Sequence, residues 1–223
     1  MIQEFLRQVS VWAMPILVAI VFHEVAHGWV AYRLGDDTAA RMGRLTLNPI
    51  SHIDLFGTIL LPLLLIIANA PFLFGYAKPV PVNFTNLRYP KRDMIWVALA
   101  GPATNILLAF CSVLALKVLL SLDFSAQNPF APFYLAVLSP LALMAKNSII
   151  INVVLAVFNI FPIPPLDGGR VLVGILPEPY SSTLARVEPY GFLIIMVLLM
   201  TDVLRAFMGP AISFILGIFG SIL

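Results

Sequence analysis

Apolar residues fall in long, nearly unbroken runs along the chain, and polar residues gather between them. Counting about 20 apolar residues as one bilayer crossing, the first run, Val11 to Leu34, predicts a membrane helix. Pro15 is expected within its first turns, where a missing N–H matters least. Residues 35–54, GDDTAARMGRLTLNPISHID, are rich in turn formers and predict a solvent-facing or interfacial connection. A second run, 56–74, is punctuated by Pro62, Asn69 and Pro71 and leads into GYAKPVPVNFTNLRYPKRD. Within it PVPVNF alternates and carries two prolines, which predicts an extended edge strand rather than a helix. A third run, about 94–120, contains GPATN, and SLDFSAQNPFAP then breaks the apolar pattern.

From Phe133 to Leu176 the chain is apolar again, but Pro162, Pro164 and Pro165 forbid a continuous helix, so this is a broken span whose first helix is expected to begin near Asn147. The last region, 187–223, carries Asp202, Arg205, Gly209 and Pro210 near its middle and fits either one long helix with an interfacial piece or two short spans. No internal repeat or low-complexity tract is visible. These elements predict an all-α polytopic membrane protein of about 4–6 membrane segments, one of them broken, with a small membrane-associated β-loop. They are expected to form a single domain over 1–223 with no soluble accessory domain.

Composition agrees. With 61% hydrophobic and 11% charged residues and a mean hydropathy of +0.98, the chain is too apolar for a soluble globule and calls for the lipid bilayer. A net charge of +2 leaves no basic field for nucleic acid, which is set aside as a partner. The lone cysteine, Cys111, can form no internal disulfide and is expected as a small buried hydrophobe. The run from Val11 to Phe22 lacks a basic leading region and a small-residue cleavage site, so it is expected to stay as a membrane helix. Of 13 Lys and Arg residues, seven lie between 33 and 92 on both sides of the 56–74 run. By the positive-inside rule both flanks face the cytoplasm, so 56–74 should be a re-entrant or tilted hairpin, and His23 and His27 should sit in the cytoplasmic half of the first helix.

That helix contains VFHEVAHGWV, two of the chain's three histidines and a glutamate inside an apolar run. His23 and His27, four apart, share one helix face, and Glu24 lies about 100° round. Two imidazoles at this spacing can hold one Zn²⁺ ion while the adjacent carboxylate reaches a metal-bound water without ligating it. A chance pair of histidines at a helix contact is disfavoured, because a carboxylate at the bilayer centre costs about 2.5 kcal/mol or more. A catalytic zinc normally takes three protein ligands. The two candidates for the third are Asp167 of PPLDGGR, which the broken span carries to a depth similar to that of His27, and His52 in the polar connection, whose default role is loop hydrogen bonding.

Three motifs, HEVAH (His23, Glu24, His27), GPATN (Gly101 to Asn105) and NIFPIPPLDGG (Asn159 to Gly169), resemble in type and order those of the site-2 protease family of intramembrane zinc metalloproteases. GYAKPVPVN is similar to that family's membrane-associated β-loop, and the likeness covers roughly residues 10–176. The resemblance implies one Zn²⁺ per chain on His23, His27 and Asp167, Glu24 as general base, and Asn159 near the metal. It also implies an integral, multi-pass protein of a bacterial cell membrane that cleaves single-span membrane proteins in or near their transmembrane segments. Many family members carry a PDZ domain or a CBS pair, for which this chain has no room, so it resembles a minimal form.

On this reading Asn159 donates to the developing oxyanion or caps the helix end before the prolines. GPATN serves close helix packing, with Asn105 in a supporting hydrogen bond. Pro81, Val82 and Asn83 either pair with an unwound substrate strand or line the water access. The rival classes are a metal transporter, which should show polar sites along a path or duplicated halves, and an inactive protease-like binder, which should have lost part of the triad. The chain shows one cluster, no repeat, and an intact Glu24.

Overall fold

The computed structural model describes residues 2–70, 75–122, 132 and 134–223. Among the described residues five helical stretches are long and apolar enough to cross a bilayer: Arg7–Arg33, Pro90–Leu120, Ala136–Asn159, Tyr180–Met200 and Val203–Gly220. The protein is a multi-pass integral membrane protein, all-α in class.

Helix α1 (Ile2–Arg33) begins well before the apolar run, so Pro15 lies in its interior rather than in its first turns. Proline has no N–H to offer the carbonyl four residues back. That carbonyl belongs to Val11, and the Asn147 side-chain amide donates to it at 3.1 Å. A backbone acceptor that hydrocarbon would leave orphaned is thus satisfied by a later helix.

A short helix α2 (Thr38–Arg41) and a 3₁₀ turn (Pro49–His52) follow. Then come a π turn (Leu55–Leu60) and α3 (Leu61–Ile67). The apolar helix Leu55–Ile67 is about 20 Å long, short of a hydrocarbon core of about 30 Å. Asn69 adopts a left-handed φ of 49°. Beyond 71–74, which lie outside the described residues, the chain has come back beside its own start: Tyr76 N–H donates to the Gly57 carbonyl at 3.0 Å and Lys78 N–H to that of His52 at 2.9 Å. The run turns back instead of crossing.

PVPVNF does not become a strand. Residues 75–83 run without regular structure, and no β-ladder forms among the described residues. Pro79 and Pro81 have no N–H, Val80 N–H goes to the Glu24 carboxylate at 2.8 Å, and Asn83 N–H to the Asp36 carboxylate at 2.7 Å. The segment is pinned by side chains of α1 and the residues just after it, so the expected β-loop is a loop without a paired strand.

Helix α4 (Pro90–Leu120) carries GPATN. Most of the polar break after it, 123–131, lies outside the described residues. Helix α5 (Ser139–Asn159) starts well before the expected Asn147. Pro140 in its first turn suits a helix start, and Lys146, the charge in the run, is exposed. The prolines break the chain over 160–166, and α6 (Asp167–Ile175) resumes it. The tail forms α7 (Tyr180–Ala185), α8 (Gly191–Met200) and α9 (Val203–Gly220). Asp202, left-handed at φ 55°, separates the last two, so the tail takes the form of two helices.

Helices α1, α4 and α5 pack mutually, α6 lies against α4, and α9 against α5. Lipid tails give helices no hydrophobic reason to associate, so close contact depends on small residues and buried amides. Ala19, Ala31, Ala109, Asn105 and Asn152 are all fully buried. Cys111 is exposed rather than buried, on the outer side of α4.

Candidate metal centre

The helix period stacks His23 and His27 on one face of α1, with Nε2 atoms 3.0 Å apart and rings nearly perpendicular at 83°. The proline break brings Asp167, the first residue of α6, to the same point. Its Oδ2 lies 3.2 Å from His23 Nε2 and 3.3 Å from His27 Nε2. All three residues are less than a tenth exposed. His52 is not part of this group: its Nε2 bonds the Thr46 carbonyl at 2.8 Å, within the connection after α1.

Hydrogen bonds on the far side of each ring determine what the facing nitrogens carry. His27 Nδ1 lies 2.7 Å from the Val97 carbonyl, which can only accept, so Nδ1 holds a proton and, in the neutral ring, Nε2 carries the lone pair. His23 Nδ1 lies 2.5 Å from Asn105 Oδ1. The Asn105 amide nitrogen faces the Ala19 carbonyl at 3.2 Å and Asn152 Oδ1 at 2.8 Å, so its oxygen must face the ring and His23 Nδ1 also donates. With both rings neutral, two bare nitrogens point at each other and at Asp167 Oδ2, which is buried without a hydrogen-bond partner. Three electron-rich atoms this close repel unless a cation lies among them. Their 3.0–3.3 Å separations match the edge of about 3.3 Å that zinc bonds of about 2.0–2.1 Å give in a tetrahedron. The donor set fits zinc.

Two close approaches hold this arrangement. A Cβ on Gly101 would come within 2.5 Å of His27 Nε2 and 2.6 Å of His23 Nε2, so α4 faces the imidazoles with bare backbone. A Cβ on Gly168 would lie 1.9 Å from the Ile160 carbonyl oxygen, so the residue after Asp167 must be glycine for α6 to fold back on the proline break.

Beside the histidines opens a cavity of about 560 Å³, lined among others by Glu24, Val80, Val82, Asn159 and Asp167. Asn159 ends α5 and donates from its amide to the Leu155 carbonyl at 3.0 Å. Pro81 and Asn83 flank the wall residue Val82 without themselves lining the cavity.

Three further polar residues make buried hydrogen bonds that were not expected from the sequence. Asn152 supports Asn105, Asn147 serves the Val11 carbonyl, and Asp36 anchors the loop. The first two had a signal, an asparagine inside an apolar run, while Asp36 is hidden in a polar connection among other turn formers. Asp36 is 1% exposed, and its carboxylate accepts from Thr38 N–H, Thr38 Oγ1, Asn83 N–H and the Asn86 amide. Burial pushes its pKa up, but these donors outweigh burial and hold it below the ordinary 3.8.

The family model described as Peptidase family M50 matches residues 11–130 and 115–202. The chain belongs to that family. Peptidase family M50 comprises the site-2 proteases, so the fold above is that of a membrane zinc metalloprotease. A Bacillus subtilis relative named "Putative zinc metalloprotease YwhC" is 37% identical over 186 residues, covering 83% of this chain and 78% of its own. Proteins named "Putative zinc metalloprotease Rip2" are 30% identical in Mycolicibacterium smegmatis and 29% in Mycobacterium tuberculosis. Each match covers 85% of this chain and 66% of the relative, so the chain spans just under two thirds of their length. No solved structure matches.

Proposed function

We propose that this M50 protein is an intramembrane zinc endopeptidase that hydrolyses peptide bonds in or near the transmembrane segments of single-span membrane proteins. The observation that carries the reading is the triangle of His23 Nε2, His27 Nε2 and Asp167 Oδ2, three potential ligand atoms 3.0–3.3 Å apart, in a cavity wall that also holds Glu24. His23, His27 and Asp167 would hold one zinc ion. When bound, zinc brings the pKa of a coordinated water to about 7 and polarises a carbonyl oxygen.

The chain's own groups supply the rest. Glu24 accepts one hydrogen bond, from Val80 N–H, and a carboxylate has several further acceptor positions, so it serves as base for the attacking water and then as acid for the leaving amine. Asn159 spends one amide hydrogen on Leu155, and the other is free to donate to charge developing on the substrate oxygen. In the stretch 79–83 the N–H groups of Val80 and Asn83 are occupied and two residues are prolines. Val82 then supplies the single N–H to which an unwound substrate can pair, with Pro81 and Asn83 holding its register. Val82→Pro should raise KM with kcat little changed; an unaltered KM would remove strand pairing from the reading. The basic clusters flanking 56–74 support a bacterial cell membrane location with the centre nearer the cytoplasm.

The test is cleavage of model single-span substrates by purified protein, with its zinc content measured alongside. Glu24→Gln should lower the rate by roughly 10²–10⁴-fold and leave one zinc per chain, while a chelator should abolish both. A Glu24→Gln protein that cleaves at the wild-type rate overturns the base assignment, and active protein without zinc overturns the centre.

A further inference from the structure

The two histidines are keyed in different ways. His27 Nδ1 meets a backbone carbonyl, Val97, which cannot turn round. His23 Nδ1 meets a side-chain amide, Asn105, which can. If the Asn105 amide flipped, its NH₂ would face His23 Nδ1, which would then have to accept. The imidazole proton would move to Nε2, the nitrogen of the triangle, and that nitrogen could no longer ligate. An amide flip at Asn105 is therefore a tautomer flip at His23.

Two acceptors oppose it: the Ala19 carbonyl at 3.2 Å and Asn152 Oδ1 at 2.8 Å both sit where a flipped Asn105 oxygen would have to go. Asn152 is itself held by donation to the Ser148 carbonyl at 2.8 Å and to Ser148 Oγ at 3.1 Å, so its oxygen is committed to Asn105. Both asparagines are fully buried, with no water to compensate a mispaired amide. The chain of amides links α5 through α4 to α1.

We infer that Asn152, which contacts neither histidine nor Asp167, is a positioning residue that locks the Asn105 amide and so keeps His23 in the tautomer able to hold zinc. The inference rests on the zinc reading of the centre. A purely structural role, an interhelical bond that fastens α5 to α4, would also account for the contact, so the test must separate the two.

Asn152→Leu removes the acceptor at similar volume. Asn152→Asp, uncharged when buried, keeps a carbonyl towards Asn105 and an O–H towards Ser148. Zinc affinity is measured by chelator competition on the full chain, and imidazole ¹⁵N spectra are recorded on zinc-free protein, where three histidines give resolvable signals. Asn152→Leu should weaken zinc binding roughly 10–100-fold and move His23 towards the Nε2-protonated form with His27 unchanged. Asn152→Asp should stay near wild type in both. If Asn152→Leu does not fold, Asn152→Ala carries the same expectation. An unchanged His23 tautomer in Asn152→Leu, or equal loss of zinc affinity in Asn152→Asp, overturns the lock. Wild-type protein that binds no zinc would sink the reading of the centre, and the tautomer measurement would still decide the lock.

Discussion

Two polar clusters hang from helix α1, one at its middle and one just beyond its end, and they are built on opposite principles. At the middle, His23, Asn105 and Asn152 form a chain of an imidazole and two amides in a packed interior, each donor aimed at one acceptor. Beyond the end, Asp36 places a carboxylate, with no ion-pair partner among the described residues, against four donors from Thr38, Asn83 and Asn86. The first cluster gains specificity from the direction of each amide; the second gains holding strength from charge-assisted bonds. The inner cluster thus suits holding a metal in fixed geometry, and the outer one suits anchoring a loop with little regular structure of its own.

The contrast predicts separable failures. The largest effect should come from Gly101→Ala, whose methyl group would overlap both imidazoles; zinc content and cleavage should fall together, by well over about tenfold. Retained zinc in that variant would show that the α4 backbone does not set the centre. Asp36→Asn should act the other way, leaving zinc in place while cleavage drops. The substituted amide puts an NH₂ against a donor that the carboxylate had accepted, at a cost of about 1–3 kcal/mol, and frees the loop whose Val80 touches Glu24. Parallel loss of zinc would merge the two clusters into one. The smallest effect is pH-dependent. Because the folded Asp36 pKa lies below the ordinary 3.8, the clamp contributes fully above that value and is lost as pH falls through the lower, folded one. Hydrogen exchange at the Asn83 amide should stay slow above about pH 4 and quicken only in stronger acid; fast exchange at neutral pH would contradict the clamp.

Much of this architecture could be read in advance because bilayers impose a coarse rule: long apolar runs became helices, and Pro162, Pro164 and Pro165 kept one from continuing, as the ring chemistry requires. The His23 and His27 pairing follows from the helix period alone. What could not be read depends on partners distant in sequence. PVPVNF alternates like a strand, yet the N–H groups of its Val80 and Asn83 are claimed by Glu24 and Asp36, which lie 56 and 47 residues away. Pro15 looks like the beginning of a helix until Asn147 is seen to make its interior position tolerable. The roles of Asn105 and Asn152 depend on the direction an amide faces, which no pattern of polar and apolar letters encodes.

That arrangement at Pro15 has a temporal side. The carbonyl of Val11 has to wait for a group that emerges from the ribosome more than a hundred residues later. Until then the leading helix carries a gap in its ladder that only water or lipid headgroups can fill. Seating of its histidine face is thereby tied to the arrival of α5, the helix after which the proline break and α6 deliver the third member of the triangle.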